Sequence, residues 1–445
     1  MHSRLLPIEK EVDLESQCGF RPGRGCTDAN FNVRMAMKKR REHGLESWIL
    51  FIDLVKAFDR VPRELLWAIL RKFGVPEKLI RLLEAMHRQV VVKFNVSGVE
   101  RTLECTIGVK QGDVLGPILF LFYIAAIMIT WKKSYNREVC IFQTRQDWKL
   151  TGRRSNATGV EFAVEDSEYA DDTAVLFPTR GGLEEGTPLL RKHFQRFGAE
   201  IHVGKGKSKS KSECLFVSKP LRMYENPETF DNANLNPVIF SDGTFIPIVD
   251  KFVYLGSYLT RDCSDDMDVK ERIDAAGGAF GNLRDCLFSS PKISPDAKRI
   301  VYIGLILSIL LYGSECWSLT EKLYNSLRCF HARCIRAMCR VTRYHTRHHR
   351  ISTEQLMDRL KILEMDTYIS RRQLRWAGHI ARMDFSRQPR MLLSSWVPSR
   401  RPRGCPEFTY GRGLMKSLQR NNIDTTSWFE IAQSREEWHS IISNL

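Results

Sequence analysis

Phe162-Ala163-Val164-Glu165-Asp166-Ser167-Glu168-Tyr169 and Thr173-Ala174-Val175-Leu176-Phe177 flank a tight turn at Ala170-Asp171-Asp172. The stretch therefore reads as a strand, a turn and a second strand. Adjacent acids at the tip of so apolar a hairpin are costly unless a cation or another partner compensates them. Upstream, Trp48-Ile49-Leu50-Phe51-Ile52-Asp53-Leu54 is an apolar run broken only by Asp53, the pattern of a strand buried on both faces. A two-strand turn delivers Asp171 and Asp172 to one point, and a neighbouring strand end can bring Asp53 alongside. Such a trio suits two hard divalent ions that clamp the attacking and leaving oxygens of a phosphoryl transfer. Spacing alone leaves a second reading open, because Asp is an ordinary turn residue and Asp53 can cap the chain that follows it.

The whole chain, 445 residues, is long enough for two or three domains. Hydrophobic residues are 43% and charged residues 27%, which excludes a disordered or fibrous chain. Lys and Arg number 68 against 52 acids, a net charge of +16 that points to a polyanionic partner. Between Arg328 and Arg403 there are 18 basic residues and five acids, so most of the surplus lies there. Met1 to Cys18 is charged throughout and lacks the apolar core of a secretory signal. The twelve irregularly spaced cysteines do not form a disulfide pattern, so an intracellular setting is expected. Two apolar runs, 114–130 and 300–313, are at or below spanning length and read as buried core helices, with no membrane partner.

Helices are predicted over 27–43, over 63–73 behind Pro62, and from Pro76 to Arg88. Residues 90–109 read as a hairpin turning at Ser97-Gly98, and a long apolar helix begins after Asp113. Residues 131–159 are polar and patternless, as in a surface insertion, and 188–197 are helical. Residues 205–212 alternate Lys with small residues, as a solvated loop does, and 251–259 are strand-like. From Val269 the pattern is helical to about Arg382, after which Pro389, Pro398, Pro402 and Pro406 are expected to break regular structure.

Four ordered motifs resemble those of reverse transcriptases. Phe51-Ile52-Asp53-Leu54-Val55-Lys56-Ala57-Phe58-Asp59 resembles motif A, and Gly108-Val109-Lys110-Gln111-Gly112-Asp113-Val114-Leu115-Gly116-Pro117 resembles motif B. Tyr169-Ala170-Asp171-Asp172 matches motif C, and Gln17-Cys18-Gly19-Phe20-Arg21-Pro22-Gly23-Arg24 resembles the fingers motif that precedes A. The Lys-Ala-Phe-Asp ending of motif A is in the style of LINE-type, non-long-terminal-repeat retrotransposons. Phe252-Val253-Tyr254-Leu255-Gly256 is similar to their primer grip, Leu311-Tyr312-Gly313-Ser314-Glu315 to part of their thumb, and 374–383 to a segment of their C-terminal regions. Gly116 stands where Ser is usual and Val55 where a polar residue is common. The chain opens almost at the second fingers motif, so against this family it reads as N-terminally truncated, without the upstream basic finger and the endonuclease domain.

The resemblance implies an α+β right-hand polymerase. Its regions are partial fingers (1–47), a palm with motifs A to D and the primer grip (48–260), a helical thumb-like region (261–327) and a basic, mainly helical C-terminal region (328–445). It implies RNA-directed DNA polymerase activity, with RNA template, DNA primer and deoxynucleoside triphosphates as partners. Priming at a nicked chromosome would imply nuclear access. Asp53, Asp171 and Asp172 would hold magnesium, with manganese as the alternative ion, and the Leu54 carbonyl would complete the ligand set. Phe58 matches the steric gate against a 2′-OH, and Gln111 and Gly112 lie against the incoming nucleotide. Lys211 matches the motif D lysine that protonates pyrophosphate, although a solvated loop explains it equally well. Arg21 and Arg24 would contact template or triphosphate.

In the C-terminal region Arg328, Arg333, Arg336, Arg340, Arg343, Arg347 and Arg350 recur every three to five residues, with Phe330, Tyr344, Tyr368 and Trp376 among and beyond them. Such a face can track a nucleic-acid backbone and stack on unpaired bases. Cys329, Cys334 and Cys339 recur in steps of five, which spreads thiols around a helix, so packed cysteines are expected in preference to a zinc site. The rival reading is a catalytically silent remnant that only binds nucleic acid. A metal-dependent nuclease fits less well, because motif B has no task there.

Overall fold

The computed structural model describes residues 1–12, 14–110, 112–134, 138–145, 159–220, 223, 235–400, 402 and 409–445. These combine helices and sheets in two compact units. One comprises Met1–Ala29, Gly44–Ile141 and Ala163–Asp250, the other Asn30–His43, Phe142–Phe162 and Lys251–Leu445. Both are discontinuous in sequence, unlike the four consecutive regions expected above.

The first six helices are α1 (His2–Glu11), α2 (Cys26–Glu42), α3 (Arg63–Lys72), α4 (Glu77–His87), α5 (Gly116–Ser134) and α6 (Arg180–Arg196). The strands are β1 (Ser47–Ile52), β2 (Val91–Val96), β3 (Val99–Glu104), β4 (Cys140–Thr144), β5 (Val160–Val164), β6 (Asp166–Tyr169), β7 (Asp172–Phe177), β8 (Glu213–Val217), β9 (Val238–Ile239), β10 (Phe245–Ile246), β11 (Ile248–Val249), β12 (Lys251–Tyr254) and β13 (Ser257–Thr260). Pro62 and Pro76 are the N-caps of α3 and α4, both with extended backbone. A fixed φ and a missing N–H cost nothing where no helical donor is needed.

The first unit is built on a five-stranded sheet in the order β11-β8-β1-β7-β6. β1 is central, antiparallel to β7 and β8 and buried along all six residues. Helix α6 packs on β1 and β7, while α5 packs against α1, α3 and α6. Every side chain from Ile118 to Met128 is buried, each large one contributing about 1.5–3 kcal/mol. Among the described residues α5 is the helix long and apolar enough to cross a membrane, and it forms the centre of this core.

The second unit carries the β12–β13 hairpin, whose turn at Leu255 (φ 46°) and Gly256 (φ 76°) is held from below. Tyr312 Oη donates to the Leu255 carbonyl at 2.9 Å, and Arg272 donates to the Gly256 carbonyl while lying 4.6 Å over the Tyr312 ring. Beneath it, Arg34 is buried with Asp265 and Asp268. Its guanidinium reaches Asp268 Oδ2 at 2.7 Å and the Tyr258 carbonyl at 2.9 Å, and it also pairs with Asp265. Trp317 Nε1 and the Tyr258 amide donate to Asp268, and Lys38 and the Ser318 amide to Asp265. Removing the shared cation leaves Asp268 buried without a charged partner among the described residues and Asp265 with Lys38 alone. Arg34→Met is therefore expected to cost about 3–5 kcal/mol and lower the thermal midpoint by ~10 °C. A shift under 3 °C by calorimetry would mean that the network is not holding this unit together.

Three expectations need correction. Residues 131–159 are not wholly a surface insertion: Trp131 is fully buried, and Phe142 and Thr144 are buried on β4. There Gln143 exchanges two backbone hydrogen bonds of 2.8 Å with Trp396, pairing that the local sequence does not announce. The helix expected over 188–197 begins eight residues earlier, capped by Thr179, with Pro188 in its interior. The chain beyond Arg382 remains helical, in Gln388–Leu393, Tyr410–Arg420, Trp428–Gln433 and Arg435–Ser443. Pro389 lies at a helix start, where its lost N–H is tolerated.

Candidate active site

Strand register assembles the three aspartates. The β1–β7 ladder ends at Ile52 opposite Thr173, so the next rung sets Asp53 against Asp172. The β6–β7 hairpin closes with Tyr169 opposite Asp172, leaving Ala170 and Asp171 as its two-residue turn, with Ala170 at φ 60°. On the other edge of β1, Phe51 pairs with Glu213, which brings Asp53 level with Lys211. Lys211 Nζ lies 3.9 Å from Asp53 Oδ2. The Asp53 amide donates to Ser212 Oγ at 3.0 Å, and its carbonyl accepts from the His202 amide at 2.8 Å. Leu54 itself forms an isolated antiparallel bridge with Ile201.

The electrostatics show what the trio lacks. Burial and the charges of Asp171 and Asp53 push the Asp172 carboxyl up to about 6. Asp171 is also raised, by burial first and by Asp53 as well. Hard oxygen donors that repel one another fit a divalent cation, and magnesium is commonly held by one or two carboxylates with substrate phosphates filling the remaining positions. Among the described residues no three Asp, Glu, His or Cys side chains are gathered closely enough to hold a metal ion by themselves.

A carboxyl raised in the folded state binds its proton more tightly there than in the unfolded chain, so metal-free stability rises as pH falls through 6. At pH 7.5 Asp172→Asn is expected to gain ~1 kcal/mol after solvent screening, or ~2 °C in thermal midpoint. Added Mg2+ should raise the midpoint of the parent chain and leave that of the variant nearly still. A variant that melts lower than the parent without metal would contradict the repulsion.

Other expected residues lie around the trio. Phe58 stacks on Phe120 (centroids 4.4 Å, 22°) and meets Phe20 edge-on at 6.3 Å. Val109 donates to the Phe58 carbonyl at 2.9 Å and Gly108 to the Val61 carbonyl at 2.9 Å, so the start of motif B is hydrogen-bonded to the end of motif A. Gly112 is exposed at φ 84°, a conformation that favours glycine. Gln111 lies outside the described residues. A Cβ on Gly116 would sit 2.4 Å from the Lys110 carbonyl, so the Ser usual there does not fit this backbone. Of the lysines in the 205–212 loop, Lys211 is the one within ion-pair distance of Asp53 among the described contacts.

The expectation that Arg21 and Arg24 face template or triphosphate does not fit the structure. Arg21 is buried, with Nε 2.9 Å from Glu9 Oε1 and Nη1 donating to the carbonyls of Leu14 and Gln17. Arg24 pairs with Glu15 Oε2 at 2.5 Å and donates to its carbonyl. Their acids lie nine to twelve residues upstream, and the family motif hides them. Sequence reading also passed over the other half of that motif. The segment Ser16–Cys18 runs along β6, with the Cys18 amide on the Glu168 carbonyl and the Glu168 amide on the Ser16 carbonyl, each at 2.8 Å.

In the second unit the basic residues sort into two groups. Arg328 is consumed by Asp366 and Glu321, and Arg372 by Glu315. Arg333, Arg336, Arg340, Arg343, Arg347 and Arg350 form no ion pair among the described residues. Burial and the like charges of Arg343 and Arg333 push Arg336 below its ordinary value. Beside them Tyr344, His345, His348 and His349 are exposed and in mutual ring contact. His331 is a core residue, taking Tyr302 Oη on Nδ1 at 2.8 Å and facing the Leu363 carbonyl through Nε2 at 3.1 Å, with burial lowering it to about 4. Cys334 is buried too, its thiol pushed up to about 12, while Cys329 is exposed and Cys339 half-buried.

Comparison with known proteins adds to this geometry. The family model described as "Reverse transcriptase (RNA-dependent DNA polymerase)" matches residues 1–257. A transposon-derived protein of Caenorhabditis elegans is 26% identical over 208 residues, covering 45% of this chain and 73% of its own. A Drosophila melanogaster protein described as the RNA-directed DNA polymerase from transposon BS is 24% identical over 346 residues, 75% of this chain and 33% of its own. The Pol polyprotein of the type-2 retrotransposable element R2DM of the same fly is 30% identical over 169 residues, 38% of this chain and 14% of its own. The chain thus spans most of the worm relative and a third or less of these fly ones. A telomerase from Candida albicans, solved with a fragment of telomeric RNA, covers 87% of this chain and 57% of its own at 11% identity and a TM-score of 0.29, a likeness too loose to bear on the fold.

Proposed function

The chain belongs to the reverse transcriptase (RNA-dependent DNA polymerase) family, and from that premise we propose that it is the RNA-directed DNA polymerase of a LINE-type retrotransposon. It would extend a DNA primer 3′-hydroxyl along an RNA template with deoxynucleoside triphosphates. The observation that carries the proposal is the convergence of Asp53, just past the end of β1, on Asp171 and Asp172 at the β6–β7 turn, close enough for its charge to raise both carboxyls. In this reading the five-stranded sheet is the palm, the β12–β13 hairpin is the primer grip, and the helices after it form a thumb.

Asp53, Asp171 and Asp172, with the Leu54 carbonyl, would hold magnesium or manganese. Bound there, the ions would supply Lewis-acid activation of the primer hydroxyl and neutralise charge on the pyrophosphate leaving group. Lys211, beside Asp53, can give a proton to that leaving group. Gly112 lets the backbone approach the incoming nucleotide, and Gln111 would lie against the same base pair. Phe58, held by Phe120 and Phe20, would place its ring under the sugar and exclude a 2′-OH.

Extension of a DNA primer annealed to RNA tests the reading, with deoxynucleotides and ribonucleotides compared. Phe58→Val is expected to lower the preference for deoxynucleotides by about tenfold to a hundredfold while keeping most of the extension rate. An unchanged preference would remove Phe58 from the gate and leave it a core aromatic. Arg333, Arg336 and Arg340, which have no acid partner among the described residues, would contact the nucleic-acid backbone.

A further inference from the structure

The turn that presents Asp171 and Asp172 is not held by its own hairpin alone. Ala170 occupies left-handed backbone space at φ 60°, which costs a non-glycine residue ~1 kcal/mol or more unless the surroundings enforce it. They do so through one side chain. Gln17 Oε1 accepts the Ala170 amide at 2.9 Å and the Gly19 amide at 2.8 Å. Two N–H groups on one oxygen fix the orientation of the side-chain amide. Its Nε2 then donates to the Ala170 carbonyl at 3.3 Å and to Glu168 Oε2 at 3.1 Å. Gln17 and Glu168 are both buried, away from competing water.

The neighbouring residue admits this contact. A Cβ on Gly19 would fall 2.3 Å from the Ala170 nitrogen and 2.9 Å from the Tyr169 carbonyl carbon. Only a glycine lets the chain lie flat against the turn.

We propose that Gln17 is a positioning residue of the metal site: by gripping both backbone groups of Ala170, it sets where Asp171 and Asp172 point. The proposal rests on the reading of Asp53, Asp171 and Asp172 as that site. Gln17 touches no reacting atom. It acts through the turn, as the hydrogen-bonding partners of metal ligands do, and loss of such a partner typically costs 10–100-fold in metal affinity.

The test is a titration of the full chain with Mn2+, with free ion followed by electron paramagnetic resonance and each protein's thermal midpoint recorded alongside. Gln17→Met is expected to weaken Mn2+ binding by about 10–100-fold at a midpoint within a few degrees of the parent. Gly19→Ala, which displaces the turn while leaving the glutamine side chain in the sequence, should do the same, and it carries the test if Gln17→Met does not fold. Ser16→Ala is the control, since Ser16 Oγ touches Glu168 at 3.5 Å and not the turn. It should leave affinity within about twofold. Parent-like Mn2+ binding by folded Gln17→Met overturns the proposal, as does an equal loss in Ser16→Ala. A parent chain that binds no more Mn2+ than the Asp171→Asn, Asp172→Asn variant overturns the metal-site reading itself.

Discussion

Changing Asp171 and Asp172 together to asparagine is expected to lower primer extension by at least about a thousandfold, while affinity for RNA stays within about twofold of the parent. Asparagine keeps the volume and the turn preference of aspartate, so the β6–β7 hairpin and its register with β1 should persist. What is lost is the pair of charges on which burial and mutual repulsion already act. A thousandfold corresponds to ~4 kcal/mol of transition-state stabilisation, within the several kcal/mol that metal ions supply in phosphoryl transfer. Asp53→Asn, on the opposing strand end, should be nearly as severe. The chemistry then separates from the scaffold: metal-free Asp172→Asn melts higher than the parent and yet does not extend. Residual extension above a tenth of the parent rate in the double variant would show that the nucleophile is activated elsewhere.

The second large effect is in the basic region. Replacing Arg333, Arg336 and Arg340 by glutamine removes three cations that have no acid partner among the described residues, so no internal ion pair is broken. If each contacts one phosphate of single-stranded RNA, the slope of log affinity against log salt should flatten by about 2, at roughly 0.7 per contact. At 0.1 M salt the triple variant should bind about a hundredfold more weakly. Arg328 is the informative contrast. It holds Asp366 bidentately at 2.8 and 2.5 Å, and its replacement should lower stability without altering the salt slope. A triple variant with the parent's salt slope would move the nucleic-acid interface off this face.

The comparison of sequence with structure divides along the range of the interactions. The aspartates were legible because Asp53 follows one apolar strand and Asp171 and Asp172 stand at the turn into another, and strand ends in one sheet have few places to go. Helix starts were legible at Pro62 and Pro76 for a local reason, the dispensable N–H of a first helical turn. The fates of Arg21 and Arg24 were not, since a basic motif looks the same whether its arginines face a ligand or fold back on Glu9 and Glu15. Gln17 was quoted within a motif without a task, because its partner Ala170 lies 153 residues away and no local pattern records that contact. Lys211 could not be told from its neighbours by composition, and only the rung shared with Asp53 singles it out. Pairing of Gln143 with Trp396 likewise joins segments too distant for any window to connect.

The most direct test is templated extension by the purified chain, run on a 5′-labelled DNA primer annealed to RNA with Mg2+ and four deoxynucleotides. The Asp171→Asn, Asp172→Asn variant runs beside it, and RNA binding by both is measured in the same buffer. The chain should lengthen the primer stepwise to the end of the template and stop at the matching letter when one chain-terminating nucleotide is added, while the variant should not extend. If neither protein lengthens the primer and both bind the RNA equally, the aspartates are a relic of a parent enzyme and this chain only binds nucleic acid.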